Sequence, residues 1–388
     1  MTTTVAEGSA AATPPGMGVP FVVASRPQRR FSNTQTISNV TASSFAPIQL
    51  PATGWVRRIS LLFTASTAWA SAGVVVNGDG PFRLVAGITV TDATGQPIMQ
   101  PISGYNLYLV NKYSGHGQAT NYPEPWENSV MSPEYAYSST GTLGTATFRL
   151  DIDFEIDAAT GYGSIPNLDS NASLQLKIDA AASTVAFGGT TIGASTLSVR
   201  VEQEYWAPVA NSAGGVAVEA APPGAGDYLE TRFETQTVSA SSENLVTLTN
   251  RGGLIKDVIL ISRAAGARVA ITALSNLGVL LDNQPINEGV PIESHYDFTR
   301  RQFGYFGTDV PVAGAFAALT PGTLAGLDLG VVPMSFDALS VGRTSWLNTR
   351  AGSLFQFKVT PGASATTLEI ITRLAQVKDH ASFYNTAN

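Results

Sequence analysis

Arg30-Phe31-Ser32-Asn33-Thr34-Gln35-Thr36-Ile37 leads, through a Ser/Pro-rich passage, to Gly54-Trp55-Val56-Arg57-Arg58-Ile59-Ser60-Leu61-Leu62-Phe63. The chain repeats this arrangement. Arg232-Phe233-Glu234-Thr235-Gln236-Thr237-Val238 leads, through a Ser/Asn-rich passage, to Gly253-Leu254-Ile255-Lys256-Asp257-Val258-Ile259-Leu260-Ile261-Ser262. An echo of this length, about 200 residues on, points to a duplicated domain. Further blocks recur in the same order. Gly87-Ile88-Thr89-Val90 with Gly95 matches Ala270-Ile271-Thr272-Ala273 with Gly278, and Pro101-Ile102 with Tyr105 matches Pro291-Ile292 with Tyr296. Leu174–Ile178 matches Phe355–Val359, and Thr196–Val199 matches Thr367–Ile370. Apolar alternation makes any one block weak; their unbroken order indicates two copies of one fold.

The composition fits two packed domains. Of 388 residues, 44% are hydrophobic, which suits globular cores, yet only 13% are charged. That is about half the usual share for soluble domains. Interface cores are depleted of charge, so the deficit suggests a surface that faces other subunits. A net charge of −7 disfavours nucleic acid as a main partner, because phosphate binding needs a basic surface. With no cysteine, disulfide scaffolds, thiol catalysis and cysteine metal sites are excluded. The N-terminus lacks the basic and apolar regions of an export signal, and no apolar run is long enough to span a membrane. Synthesis and folding in the cytoplasm are expected.

Residues 1–29 are Ala/Thr/Ser/Gly/Pro-rich and read as a flexible arm ending in Arg26, Arg29 and Arg30. These arginines are either a solvated boundary cluster or a contact for anionic lipid or a neighbouring subunit. Residues 30–210 form the first domain, 211–230 (with Pro222-Pro223-Gly224) a linker, 231–377 the second domain and 378–388 a polar tail. Each domain offers about eight short strands rich in β-branched and aromatic residues, which calls for a sandwich or barrel. Between the earlier and later strands lies one helix per copy. Ser103 can cap the first, over 103–113, with Tyr105, Leu109 and Tyr113 on one face; residues 293–303 hold the second. Long excursions follow at 116–145 and 304–333. The fold class is all-β, two tandem eight-stranded jelly-roll barrels.

Catalytic signatures are absent from the sequence: there is no P-loop, no His-Glu-x-x-His, no nucleophile elbow and no EF-hand loop. His116, His295 and His380 have no metal-ligand spacing. Neither a catalytic residue nor a metal or cofactor is therefore assigned. One constellation is unusual. Along 148–157, Leu150, Ile152, Phe154 and Ile156 alternate with Asp151, Asp153, Glu155 and Asp157. Such a ladder can be a carboxylate pair acting on a sugar, a cation site, or an arginine-paired face. Tyr122, Trp126, Tyr135 and Tyr137 crowd the first excursion, either packing it onto its barrel or serving as interface or glycan contacts.

A tandem jelly roll of this length, with a helix in each copy and no catalytic motif, resembles the double jelly-roll major capsid proteins of tectivirus-like phages, icosahedral viruses with an internal membrane. The resemblance covers about residues 30–377 and rests on the architecture and the duplication. It implies a homotrimer whose six similar lobes tile a hexagonal lattice, with the excursions as towers or clasps. It also implies penton and minor capsid proteins as partners, an internal membrane near the arm, and a place in the virion. The alternative from another class is a carbohydrate-binding tandem β-sandwich, secreted or on a phage tail.

Overall fold

The structure, a computed structural model, describes residues 19–377 apart from internal stretches, of which 114–130, 270–275, 295–329 and 338–344 are the longest. In the first lobe, β1 (Pro27–Ser38), β2 (Gly54–Trp69), β5 (Leu143–Asp153) and β7 (Ile192–Trp206) form an antiparallel sheet in the order β1–β7–β2–β5. The hairpin strand Tyr135–Thr140 extends it past β5. Facing it, β3 (Val85–Thr91), β4 (Pro97–Ile102) and β6 (Gln175–Ala180) run in the order β6–β3–β4, with the short segments Ser43–Ser44 and Ile48–Gln49 on the outer side of β6. Ile59, Leu61, Phe63, Leu150, Ile152, Val199 and Val201 point between the sheets and are fully buried.

The second lobe repeats the plan. Strands β8 (Tyr228–Thr237), β10 (Leu254–Ala264), β13 (Val331–Ser335) and β15 (Thr367–Gln376) run β8–β15–β10–β13. Strands β9 (Asn244–Thr247), β11 (Asn276–Leu281), β12 (Gln284–Pro291) and β14 (Phe355–Val359) run β9–β14–β11–β12. The order matches that of the first lobe strand for strand, so two jelly rolls stand in tandem. The registers align the copies residue by residue. Leu176 pairs with Val90 as Phe357 pairs with Val279, so Gly87–Val90 corresponds to 276–279. The sequence match to Ala270–Ala273 was therefore six positions out of register. Short apolar blocks repeat too often for local similarity to fix register.

Strand β10 departs from half-buried alternation, since Leu254–Arg263 are buried without a break. Val258 and Leu260 belong to the second lobe's own core, whereas Ile259 and Ile261 join the core of the first lobe, with Val331 and Ile371. A strand covered on both faces reads as a continuous apolar run, as Val258-Ile259-Leu260-Ile261 does. The first lobe's core therefore extends onto the outer face of the second lobe's sheet, while the second lobe keeps a core of its own.

Helix α2 (Gly104–Tyr113) sits between β4 and β5. The Asn106 N–H donates to Ser103 Oγ at 3.2 Å, the N-cap bond the sequence predicts. All ten residues are buried, so the one-faced helix of the sequence reading is covered on every side. Residues 293–303 fall almost wholly outside the described residues. Other boundaries move. The acidic alternation continues beyond β5, which ends at Asp153, and the second excursion's last residues, 331–333, belong to β13. Residues 19–29 do not form a free arm. The turn of helix α1 (Phe21–Ala24) sets Phe21 edge-on to Trp55 and Trp206 at 6.4 and 6.3 Å, and Val19 N–H donates to Ala217 O at 2.9 Å. The linker reading fails likewise near its end: Val19 bridges Val218, the Tyr162 hydroxyl donates to Asp227, and β8 starts at Tyr228. These partners lie too far along the chain to leave a local pattern.

Gly54 opens strand β2, and Gly253 immediately precedes the equivalent strand β10. A Cβ on Gly54, whose φ is +147°, would lie 2.2 Å from Trp206 O; on Gly253 it would lie 2.6 Å from Ala375 O. Gly54→Ala and Gly253→Ala should each destabilise the fold by about 1–3 kcal/mol through this overpacking. Urea unfolding measures it, and an unchanged midpoint in both variants would contradict the close approach.

Candidate functional site

The two lobes carry the same bulge. In the first, Arg58 and Val56 face consecutive residues Glu204 and Tyr205, so Arg57 is extra; in the second, Asp257 and Ile255 face Arg373 and Leu374, so Lys256 is extra. The carbonyl of each bulged residue accepts from a phenylalanine N–H, Phe154 at 3.0 Å and Phe336 at 2.8 Å. Each bulge turns its cation toward an indole. Arg57 lies 4.4 Å from the Trp206 ring centroid and Lys256 Nζ 5.6 Å from that of Trp346. Arg57 also donates to Glu155 Oε2 at 2.8 Å, while Trp206 Nε1 donates to Glu155 Oε1 at 2.7 Å.

This accounts for much of the carboxylate ladder. Glu155 is held by Arg57 and Trp206; Asp153 pairs with Arg58; Asp151 accepts from Arg149 Nε at 2.9 Å. Asn111 of α2 clamps the Asp151 backbone from both sides, at 2.7 and 2.9 Å. Asp157 accepts from Ala159 N–H and the Thr160 hydroxyl in a local turn. The ladder is thus an arginine-paired face, and among the described residues no group of His, Asp and Glu is arranged to hold a metal ion. Of the boundary arginines, Arg29 makes an exposed 2.6 Å pair with Glu204, and Arg26 and Arg30 are exposed. His116, His295 and His380 lie outside the described residues, as do Tyr122 and Trp126; Tyr135 and Tyr137 are on the hairpin strand beside β5.

The most heavily built polar site is one that the sequence does not single out. Asp79, which the sequence shows only as part of a turn, lies between the lobes and is 5% exposed. Its carboxylate meets Arg268 Nε at 2.7 Å, Arg263 Nη1 at 3.1 Å and Arg83 Nη1 at 3.0 Å. Arg263 continues to Glu369 at 2.8 Å, and Arg268 and Arg263 stand 4.8 and 5.8 Å from the ring centroid of Tyr105 on α2. Burial alone would push the Asp79 carboxyl up, but Arg268 and Arg263, with Arg83, hold it below the usual carboxylate range. A second buried pair, Asp257 with Arg373, lies on the same sheet, Arg373 Nε being 2.8 Å from Asp257 Oδ1. Beside it, burial lowers the Lys256 ammonium to about 8, and Arg373 adds to this against the pull of Asp257, Asp337 and Asp153. Arg83 lies four residues on, but no short-range signal marks the seam, since Arg263 and Arg268 lie 184 and 189 residues away.

No protein-family model and no curated protein matches this sequence. Solved structures do match the fold. The major capsid protein of Sulfolobus turreted icosahedral virus aligns over 93% of this chain and 99% of its own, with 12% identity and a TM-score of 0.61. The capsid of the virus PBCV-1 aligns over 90% and 95%, with 11% identity and a TM-score of 0.54. The major capsid protein of bacteriophage PM2 aligns over 92% and 99%, with 10% identity and a TM-score of 0.51. The chain has the double jelly-roll fold of viral major capsid proteins. Each alignment covers at least 90% of the chain and so takes in residues of both lobes.

Two outcomes follow from the charges at the seam. Asp79→Asn removes the buried carboxylate shared by Arg263, Arg268 and Arg83 and should cost about 3–5 kcal/mol, read by urea unfolding. The Asp79 contribution is complete above about pH 4 and is lost as pH falls through its depressed pKa. For Lys256 the sign is opposite to that of a paired lysine. Its burial cost is present below about pH 8 and is relieved as pH rises toward the unfolded value near 10.4. Relative to Lys256→Met, the wild type should therefore gain stability between pH 8 and about 10.4, by up to about 3 kcal/mol. A pH-independent difference would exclude a buried, charged Lys256.

Proposed function

We propose that this chain is the major structural protein of an icosahedral viral shell, assembling as a homotrimer of six similar lobes that tiles the shell. The observation that carries the proposal is the two-lobe body itself, fixed by a buried seam and matched over at least nine-tenths of its length by capsid proteins. Its low charge suits a surface that spends its life against other copies. Whole-chain likeness to capsid proteins also favours a shell over the carbohydrate-binding alternative. The role is structural, and no catalytic step is assigned to it. Further copies are the main partner; penton proteins, minor shell proteins and an internal membrane are the others this reading carries. Its location is the virion, after synthesis in the host cytoplasm.

Purified protein at micromolar concentration should sediment as a closed trimer and show a six-lobed outline by negative stain. A persistent monomer would overturn the proposal, and specific capture on a glycan array would favour the sugar-binding alternative.

A further inference from the structure

Strand β1 begins at Pro27, and residues 19–26 before it lie across Trp55 and Trp206 at the end of the first barrel. Only two of these residues are buried. Phe21 is 1% exposed and Ser25 6%, whereas Val23 is 71% exposed, and Pro20 and Arg26 are exposed too. Phe21 stands edge-on to both indoles, and its N–H donates to Glu219 Oε2 at 3.2 Å. The Ser25 hydroxyl donates to Ala207 O at 2.6 Å. The socket for Phe21 is built from parts that other residues fix. Trp206 is held by Arg57 over its ring and by its Nε1 bond to Glu155, and Trp55 lies opposite Trp206 in the sheet. A preformed pocket for one aromatic anchor, with backbone pairing beside it, is a common way to recognise a short peptide.

What this segment holds in turn is the linker. Val19 N–H donates to Ala217 O at 2.9 Å, Glu219 N–H donates to Val19 O at 3.1 Å, and Val209 and Ala221 pack against the Phe21–Trp55–Trp206 cluster. The segment, the indole and the linker converge on Gly161. A Cβ there would lie 3.2 Å from Val22 Cγ1, 3.3 Å from Trp206 Nε1 and 3.5 Å from Pro222 Cβ. Beyond Pro222 the linker has a separate fastening, with Gly224 against the Tyr162 ring and Asp227 accepting from the Tyr162 hydroxyl. Between Ala217 and Pro222 it leans on residues 19–22 and on the indoles they cover.

We infer that residues 19–26 are a detachable latch: a peptide ligand carried by the chain itself, whose docking in the Trp55–Trp206 socket fastens the inter-lobe linker to the first lobe. Docking and linker order stabilise each other, each favouring the other by the same factor. The lobes stay together without the latch, because the isoleucine seam and Asp79 hold them elsewhere. Undocking is therefore a local opening, of the low-cost kind that a segment with few buried contacts permits. The latch belongs to the single chain and does not depend on the shell reading.

Limited proteolysis of the full chain tests this. Elastase cleavage within 217–221, at Ala217, Val218, Ala220 or Ala221, follows the population of the opened linker when docking is fast. Phe21→Ala should raise the cleavage rate by about tenfold or more, while the urea midpoint of the lobes stays near that of the wild type. A peptide of residues 19–26, added at about millimolar concentration to match a tethered copy, should restore protection to Phe21→Ala. The same peptide with its phenylalanine changed to alanine should not. Val19 and Val218 form a bridge pair, and the chain has no cysteine of its own. Oxidised Val19→Cys/Val218→Cys should therefore be cleaved more slowly than the wild type. Equal cleavage of wild type and Phe21→Ala, or equal protection by the two peptides, would overturn the latch. A Phe21→Ala chain whose lobes unfold would overturn it as well, since the segment would then be part of the barrel.

Discussion

The sheet β8–β15–β10–β13 has to bury both of its faces, and the architecture follows from that requirement. A sheet in a jelly roll normally needs one apolar face, with water on the other. Here Ile259, Ile261, Val331 and Ile371 make the second face apolar too, and among the described residues it is the first lobe's core that covers them. Full burial of each such side chain is worth about 1.5–3 kcal/mol, so separating the lobes would forfeit much of the stability of an ordinary domain. The same contact explains why α2 is buried all round. It is the wedge between the first barrel and the second lobe's sheet, with Tyr105 under two guanidinium groups and Asn111 tied to Asp151.

Charge at the seam acts differently. Burying Asp79 with Arg263 and Arg268 costs desolvation that the ion pairs roughly offset, so the cluster adds little net stability over an apolar seam. What it does supply is geometry. A carboxylate with guanidinium groups on several sides tolerates one arrangement of the lobes, whereas isoleucine against isoleucine tolerates sliding. Asp257 with Arg373 and the paired ladder at Asp151, Asp153 and Glu155 work in the same way within each sheet.

The duplicated bulge shows how far a repeat can diverge and keep its frame. Gly54 and Gly253, and the phenylalanine N–H bonds to Arg57 O and Lys256 O, are backbone requirements, and both copies satisfy them. The side chains around them have changed. Arg57 rests on Trp206 from the last strand of its lobe, while Lys256 rests on Trp346 from a different segment. An indole on a cation has thus been kept although the residue supplying it has not.

The duplication, the all-β class, the helix after Ser103 with its cap, and the apolar alternation that sets each barrel's inner face are all written in local pattern. These are legible because period-two patterning, caps and repeats are properties of neighbouring residues. The Arg57-Arg58 and Lys256-Asp257 positions were visible as a difference between copies, though not as bulges, since a bulge exists only in relation to a partner strand. That residues 19–29 pack on the first lobe, that 276–279 is the true counterpart of Gly87–Val90, and that Asp79 anchors the seam emerge from the folded chain alone. Phe21 needs Trp55 and Trp206; Asp79 needs arginines more than 180 residues away. Such partners meet only once the barrels have formed, and a long-range contact leaves no period in the chain for a reader to find.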